Sequence, residues 1–368
     1  MDNTKIKVLI VEDSALLRQE LLNILKTDNR FEVIAQATNG EEAVKYAKLY
    51  SPDIISMDMF MPVMDGLEAT YEIMRTNPIP IVIVNSLYKE TEVHMAMQEL
   101  NAGAVAILQK PFAPNHPYYE TSANKYKNML KLMSEIKVIK RTNSIKTSYS
   151  KTSNNTVIDS ITSTNNKLKP KNSCVVPEII SIIAIGASAG GPEAVRIILE
   201  FLAYPIKVPV IIIQHMDANF TEGYATWLQQ YSKSNVKIAK SGEKLESDTI
   251  YIAPGGSHLT IINQSTIRLI AATKNTNGPG HTPSIDVLFE SIANQNPNEC
   301  IAVLLSGMGK DGANGLKKLK DSGAYTLIQN ETTSLIFGMP GVAEKLNAEC
   351  KKLGPQEIAL EINHLLNK

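Results

Sequence analysis

Val8-Leu9-Ile10-Val11-Glu12-Asp13 joins four consecutive apolar residues to two acidic ones near the start of the chain. Continuous apolar runs predict strands that are buried on both faces, which is typical of parallel sheets covered by helices. Similar short runs recur in the following hundred residues: Val33–Ala35, Ile54–Met57, Ile81–Val84 and Val105–Leu108. Together these runs predict a five-stranded parallel sheet.

The segments between these runs have the apolar spacing of helices. They are Ala15–Lys26, Glu41–Leu49, Leu67–Arg75 and Glu90–Leu100, and a last helix is expected over Tyr118–Lys140. Strands that alternate with helices in this way indicate an α/β fold with helices on both faces of the sheet.

A linker is expected after this first domain. Of the 24 residues from Thr142 to Asn165, 16 are Ser, Thr or Asn. Such a stretch cannot bury enough apolar surface to offset the entropy cost of ordering it. Because 368 residues suit about two domains, we expect domains at 1–141 and 179–368, separated by a flexible linker at 142–178.

The alternation resumes after the linker with apolar runs at Ile179–Ile185, Val208–Gln214 and Ile301–Leu305. These runs predict a second, doubly wound parallel sheet. One interval has a different pattern, because turn residues separate the short runs within it. We expect this interval to form an antiparallel ribbon from three runs: Thr249–Ala253, Leu259–Ile262 and Thr266–Ala271.

Composition excludes several classes of protein. Lys plus Arg and Asp plus Glu both total 37, so the net charge does not indicate a nucleic-acid partner. The longest apolar stretch, 179–187, is too short to cross a bilayer, and the N-terminus lacks a signal-peptide pattern. Cys174, Cys300 and Cys350 are far apart in sequence and predict no disulfide framework. We therefore expect a cytoplasmic protein that does not insert into membranes.

Charged side chains follow three strands of the first sheet, at the edge where sites form in parallel α/β folds. Glu12 and Asp13 follow the first strand, and Asp58 follows the third. Converging carboxylates repel one another unless a cation such as Mg²⁺ lies among them. Asp58 is then a candidate nucleophile in phosphoryl transfer, and Lys110, after the fifth strand, is a candidate phosphoryl-binding group. Each acidic residue alone could instead be a helix cap.

Three motifs of this first domain resemble those of response-regulator receiver domains: Val8–Asp13, Asp58–Gly66 and Lys110–Pro111. The resemblance implies a flavodoxin-like fold and phosphotransfer from a chemotaxis histidine kinase to Asp58. The implied Mg²⁺ ligands are Glu12, Asp13, Asp58 and the carbonyl of Phe60. Two positions depart from the receiver pattern, because Asn85 replaces the usual Ser or Thr and Ile107 the usual aromatic residue.

Gly186-Ala187-Ser188-Ala189-Gly190-Gly191 follows an apolar strand and matches the G-x-S-x-G pattern, whose glycines allow a turn that exposes the serine. Such a loop could instead hold a phosphate at a helix N-terminus. Ser188 needs a base to act as a nucleophile, and His215 directly follows the neighbouring strand. Asp311, after the strand Ile301–Leu305, can orient the imidazole. Three strand ends therefore predict a Ser188, His215 and Asp311 triad.

The second domain resembles the bacterial chemotaxis protein-glutamate methylesterases in five motifs: Gly186–Gly191, Gln214–Met216, Tyr251–Gly255, Pro283–Phe289 and Gly307–Gly312. The resemblance implies demethylation of glutamate methyl esters on methyl-accepting chemoreceptors, deamidation of receptor glutamines, and a receiver that covers the esterase crevice. It implies no cofactor for the esterase, and it places the backbone near Met308 and Ala189 around the oxyanion. His281 is a candidate substrate contact.

The esterase motifs also depart from the family at two positions, since Ala189 stands where Thr is usual and Thr282 where Arg is usual.

Three alternative functions would need different features. A nucleotide-binding output domain would not need His215 or Asp311. A DNA-binding regulator would need a helix-turn-helix and basic charge. A non-catalytic adaptor would not need a complete triad.

Overall fold

The computed structural model describes residues 4–85, 97, 100, 102–136, 138, 174, 176–271 and 281–368. Most of the expected linker at 142–178 lies outside the described residues. The same is true of most of the helix expected at Glu90–Leu100.

The N-terminal part of the chain forms a five-stranded parallel sheet in the order β2-β1-β3-β4-β5. Its strands are β1 (Ile6–Val11), β2 (Phe31–Ala37), β3 (Ile54–Met57), β4 (Ile81–Asn85) and β5 (Ala106–Gln109). Each expected apolar run lies in one of these strands, although Val105 precedes β5, so the predicted sheet is confirmed. The order reverses between β1 and β3, which creates a crevice at the carboxyl ends of these strands.

Four described helices accompany this sheet: α1 (Ala15–Lys26), α2 (Gly40–Tyr50), α3 (Gly66–Thr76) and α4 (Tyr119–Ser134). Side chains of Ser14, Asn39 and Asp65 accept hydrogen bonds from backbone N–H groups in the first turns of α1, α2 and α3. These bonds satisfy donors that have no partner within the helix and thereby fix where each helix starts. The last helix was expected to reach Lys140, but α4 ends at Ser134.

The C-terminal part contains a seven-stranded parallel sheet in the order β14-β13-β12-β6-β7-β9-β8, with a separate antiparallel pair β10-β11. The strands are β6 (Ile182–Ala187), β7 (Val210–Gln214), β8 (Asn235–Ile238), β9 (Thr249–Ile252), β10 (Ser257–Ile262), β11 (Thr266–Ala271), β12 (Cys300–Leu304), β13 (Tyr325–Gln329) and β14 (Lys351–Leu353). The expected α/β fold with a parallel sheet and an antiparallel element is confirmed.

Six described helices belong to this part: α5 (Gly191–Phe201), α6 (Thr221–Gln229), α7 (Ile285–Ala293), α8 (Ala313–Asp321), α9 (Met339–Lys345) and α10 (Pro355–Leu366). Short 3₁₀ turns precede α6 and β12. The central strands β6, β7 and β12 are buried along their whole length, so apolar side chains on both faces hold the strand ends of this sheet in place.

The assignment of Thr249–Ala253 to the antiparallel ribbon was wrong. β9 pairs in parallel with β7 and β8, and only β10 and β11 form the ribbon. All residues of β9 are buried, which is the pattern of a strand covered on both faces. The Pro254-Gly255-Gly256 turn after it marks where the chain leaves the large sheet.

The expectation that the cysteines form no disulfide was also wrong for one pair. Cys174 and Cys350 form a disulfide bond, with Cα atoms 5.6 Å apart, and Cys300 is free and buried. Cys350 directly precedes the edge strand β14, and Cys174 lies shortly before β6. The two cysteines are 176 positions apart in the sequence, and only the tertiary fold brings them close together in space.

Among the described residues, no helix combines the length and apolar composition needed to cross a bilayer.

We expect Cys174→Ser to lower the free energy of unfolding of the oxidised protein by about 2–4 kcal/mol, because a cross-link that closes a long loop restricts the unfolded chain. Urea denaturation without reductant measures this difference. Dithiothreitol should lower the stability of the wild type to that of the variant and leave the variant unchanged. Equal stabilities of the untreated proteins would contradict the prediction.

Candidate active site and phosphorylation site

Three neighbouring strands of the seven-stranded sheet place the predicted triad at one edge. Ser188 directly follows β6, His215 directly follows β7, and Asp311 lies in the loop after β12. The sheet order β12-β6-β7 makes these strands adjacent. The structure therefore places at one edge of the sheet three residues that span 188–311 in the sequence.

The loop that carries Ser188 depends on glycine. Gly190 has a φ of 76°, and a Cβ atom there would lie 2.5 Å from the Cβ of Leu335. A Cβ atom on Gly191 would lie 2.5 Å from Oε1 of Gln214. Larger residues at either position would therefore displace the turn that holds Ser188 at the start of α5. Only 8% of the surface of Ser188 is exposed, so the serine lies within the cleft.

The His215 ring is oriented by Asp311. Nε2 of His215 lies 2.8 Å from Oδ2 of Asp311, and both side chains are largely buried. Since the carboxylate can only accept a hydrogen bond, Nε2 carries the proton and Nδ1 is the basic nitrogen. Within the described part of the chain, Nδ1 is buried and has no hydrogen-bond partner. Nδ1 is therefore the nitrogen that is available to take a proton.

The Asp311 carboxylate is held at the start of α7. Oδ1 accepts hydrogen bonds from the hydroxyl of Ser284 at 2.8 Å and from the backbone N–H of Asp286 at 3.0 Å. Oδ2 also accepts one from the backbone N–H of Ile285 at 2.8 Å. Burial alone would raise the pKa of Asp311, but the hydrogen bonds from His215 and these backbone groups outweigh it and hold the pKa well below its usual range.

His281 stacks on His215 instead of lying apart from the triad. The two ring centroids are 4.0 Å apart and the rings are inclined by 18°. More than a third of His281 is exposed, yet desolvation within the cleft and the neighbouring His215 lower its pKa from the usual 6.5. A neutral His281 thus forms one wall of the cavity beside the His215 ring.

The loop that carries Ser188 is supported by two polar side chains that the sequence analysis missed, Gln214 and Ser306. Nε2 of Gln214 donates to the carbonyl of Ser188 at 2.8 Å. The hydroxyl of Ser306 donates to the carbonyl of Ala189 at 2.8 Å and accepts from the N–H of Ile336 at 3.0 Å. Gln214 belongs to the Gln214–Met216 motif, but residue spacing alone does not predict its hydrogen bond to the carbonyl of Ser188.

The residues predicted to form a phosphorylation site lie close together. Nζ of Lys110 lies 2.7 Å from Oε2 of Glu12 and 3.0 Å from Oδ2 of Asp58, and all three side chains are buried. The backbone N–H of Met59 donates to Oδ1 of Asp58 at 2.8 Å. Ligand oxygens of Glu12, Asp58 and the exposed Asp13 all lie within 4.8 Å of one another.

The charge of this acidic cluster is only partly compensated. Burial raises the pKa of Asp58 against the opposing charge of Lys110. Burial and the nearby Asp58 charge likewise raise the pKa of Glu12. Glu12 and Asp58 share one ammonium group, and together with Asp13 they are the kind of oxygen donors that suit Mg²⁺. Phe60, whose carbonyl was expected to complete this set, follows Asp58 by two residues in the loop before α3 and is partly exposed.

The two unusual receiver positions lie on strands beside this site. Asn85 ends β4 and is buried, and its Nδ2 lies 3.7 Å from Sδ of Met59. Ile107 lies in β5, opposite Ile83 of β4. Ile107 also lines the cavity between the two domains. The replacement of an aromatic residue by isoleucine therefore lies where the domains meet.

The first domain lies over the cleft that contains Ser188 and His215. Met308, Leu335 and Ile336 of the second domain pack against the apolar core of the first, and Lys125 on α4 forms an ion pair with Asp217 after β7. A cavity of about 380 Å³ remains between the domains. Its lining includes the residues expected to act on or contact substrate: Ser188, Ala189, His215, His281 and Met308.

Two known protein families match the two domains of the chain separately. The CheB methylesterase family matches residues 183–362, and the response regulator receiver domain family matches residues 8–117. A protein-glutamate methylesterase/protein-glutamine glutaminase of Geobacter metallireducens is 38% identical over 360 residues, which are 98% of this chain and 99% of that protein. A relative of the same name from Nitrosospira multiformis is 37% identical, over 98% of this chain and 97% of its own.

Among solved structures, the CheB methylesterase catalytic domain of Thermotoga maritima is 31% identical, with a TM-score of 0.48 over 50% of this chain and 98% of that one. The full-length relatives carry the assignment, because they match across both domains. The chain therefore belongs to the CheB methylesterase family, with a response regulator receiver domain preceding the esterase domain.

Proposed function

We propose that this protein is a phosphorylation-regulated serine esterase that removes methyl groups from glutamate methyl esters on chemoreceptors. The observation that carries the proposal is the bond between Nε2 of His215 and Asp311, with Ser188 on the adjacent strand end. The relatives named protein-glutamate methylesterase/protein-glutamine glutaminase support the choice of substrate. Methanol and a free glutamate are the products.

Ser188 is the nucleophile in this mechanism. Its Oγ attacks the side-chain carbonyl carbon of the ester while Nδ1 of His215 takes its proton. Asp311 remains a carboxylate and stabilises the imidazolium that forms. The imidazolium then gives the proton to the methoxy oxygen as the C–O bond breaks, and methanol leaves. Water, deprotonated by His215, hydrolyses the acyl-serine and restores the hydroxyl.

The same groups can deamidate a receptor glutamine. An amide and an ester pass through similar tetrahedral intermediates, and in the amide reaction His215 protonates the leaving ammonia. Backbone N–H groups at Ala189 and near Met308 stabilise the oxyanion, each contributing roughly 10²–10³ in rate. His281 contacts the substrate beside the catalytic ring. With Ala189 and Thr282 in place of Thr and Arg, the backbone N–H at Ala189 remains as a donor, but the hydroxyl and guanidinium contacts to the receptor are lost.

The receiver supplies the regulation. Asp58 accepts the phosphoryl group from a chemotaxis histidine kinase, and Lys110 binds the phosphoryl oxygens. Glu12, Asp13, Asp58 and the Phe60 carbonyl would hold Mg²⁺, which neutralises charge on the phosphoryl group when bound. The esterase itself uses no cofactor.

Domain closure restricts the unphosphorylated enzyme in this proposal. The Lys125–Asp217 ion pair and the apolar contacts of Met308 favour the closed arrangement. Phosphorylation of Asp58 shifts the equilibrium towards an open one, in which a receptor helix reaches Ser188. Residues 1–141 act as the receiver, 142–178 as the linker and 179–368 as the esterase. The protein works in the cytoplasm on chemoreceptors, without inserting into the membrane or binding nucleic acid.

A nucleotide-binding or purely adaptor output domain is not favoured. The N–H of Gly191 already donates to the carbonyl of Ser188, so this donor of the glycine loop is used internally. An adaptor would not need the buried His215–Asp311 pair.

Ser188→Ala should reduce methanol release from methylated chemoreceptor membranes by at least about 1,000-fold, because removal of a triad nucleophile has effects of that size. Ser322→Ala, at an exposed serine after α8, is the matched control and should retain activity. Equal loss in both variants would indicate a general folding effect, and full activity of Ser188→Ala would exclude this serine as nucleophile.

Asp58→Asn should abolish activation by acetyl phosphate and Mg²⁺. In the wild type we expect at least about a fivefold rise in methanol release, since couplings between sites are typically about 1–3 kcal/mol. Chelation of Mg²⁺ should remove the rise as well. Asp53→Asn, at the opposite end of β3, should respond like the wild type; activation of Asp58→Asn would place the phosphorylation site elsewhere.

Lys125→Glu should raise the basal activity towards receptors by about fivefold or more, because the new carboxylate repels Asp217 across the domain contact. The measurement is methanol release without phosphodonor. Lys131→Glu makes the same charge change on α4 outside the cavity lining and should have little effect. If Lys125→Glu behaves like Lys131→Glu, the ion pair does not stabilise the closed arrangement.

A further inference from the structure

The closed arrangement leaves space beside the triad. The cavity between the domains has a volume of about 380 Å³, which lies in the range of sites for small molecules, about 300–1,000 Å³. Ser188 and His215 contribute to its lining, so a molecule in the cavity would meet the nucleophile and the base. Closure by the receiver therefore leaves a space whose walls include both reactive side chains.

The walls of the cavity are mostly apolar. Receiver residues Ile107, Met129 and Leu132 face esterase residues such as Phe220 and Met308. Methionine side chains adapt to different ligand shapes. The charged residues among the described lining, Lys125 and Asp217, form an ion pair with each other. This lining favours a small, uncharged, apolar occupant over a carboxylate or an ammonium group.

A receptor helix needs more room than a small ester. A helix with its side chains is about 10 Å across or wider, and receiver side chains of α4 and β5 form one side of the cavity in the closed arrangement. In the proposed function a receptor segment reaches Ser188 only after the receiver has moved away, whereas a small ester needs only the space that the cavity already has.

We propose that the closed, unphosphorylated protein hydrolyses small apolar carboxylic esters, so that the receiver selects substrates by size instead of switching the chemistry off. The inference rests on the proposed esterase activity. Ser188 Oγ forms a bond to the carbonyl carbon, and the alcohol leaves with the proton held by His215. Water then cleaves the acyl-serine and releases the carboxylic acid.

The first test uses 4-nitrophenyl butyrate with the unphosphorylated full-length protein. We expect 4-nitrophenolate release that Ser188→Ala lacks. Acetyl phosphate with Mg²⁺ should change this rate by less than about twofold, although it raises receptor demethylation by about fivefold or more. A parallel rise with both substrates would overturn the inference, because it would mean that closure also blocks small esters.

The second test fills the cavity. Leu132 is 41% exposed and lines the cavity on α4, so Leu132→Trp adds volume there without replacing a buried core residue. We expect at least about a tenfold fall in kcat/KM for 4-nitrophenyl butyrate, the range in which small changes in pocket fit act. Opening of the domains with acetyl phosphate and Mg²⁺ should restore the rate. Leu360→Trp, at an exposed leucine of α10, is the matched control and should keep the wild-type rate.

Failure of this inference is distinguishable from failure of the proposed function. Methanol release from receptors that depends on Ser188, without hydrolysis of 4-nitrophenyl butyrate, would refute the size selection and leave the methylesterase intact. Absence of both activities would refute both. An unchanged rate in Leu132→Trp would show that the small ester reaches Ser188 by another route and would also overturn the inference.

Discussion

The position of the Asp311 carboxylate determines the geometry of the esterase site. It connects the loop after β12 to the ring of His215 after β7 and to the first turn of α7. Backbone N–H groups of Ile285 and Asp286 compensate for its burial, so it keeps its charge in a place where an unpartnered carboxylate would become protonated. A charged acceptor at Nε2 of His215 fixes the tautomer. The backbone donors at the start of α7 therefore hold the carboxylate that makes Nδ1 the basic nitrogen of His215.

The receiver site holds its charges in a different way. Glu12 and Asp58 share the single ammonium group of Lys110, and burial raises the pKa of both carboxyl groups. Backbone donors hold Asp311 in place, whereas Asp58 has one backbone donor, from Met59, and shares Lys110 with Glu12, which leaves part of the negative charge for a divalent cation to balance. The first arrangement suits a group that orients another, and the second suits a group that reacts.

The sequence predicted most of the fold and most of the site because of one property of parallel sheets. Residues that directly follow adjacent strands meet at one edge, so Ser188 and His215 could be placed together without knowledge of the tertiary structure. This rule does not cover contacts made across the fold. The Cys174–Cys350 bond and the Lys125–Asp217 pair join segments whose proximity depends on packing. β9 was misassigned because the turn after it resembles a hairpin, although its burial pattern fits the large sheet.

The side chain of Ile107 restricts the ways in which phosphorylation of Asp58 can affect the esterase domain. Lys110, which contacts Asp58, follows β5, and its N–H donates to the carbonyl of Asn85 on β4 at 2.8 Å. Ile107 lies on the same strand and forms part of the cavity wall. An aromatic ring at this position could report a change at Asp58 by moving between two rotamers, but a short β-branched side chain has little such freedom. Coupling through β5 must therefore involve movement of the strand itself, or of α4, whose Lys125 and Leu132 form the facing part of the domain contact.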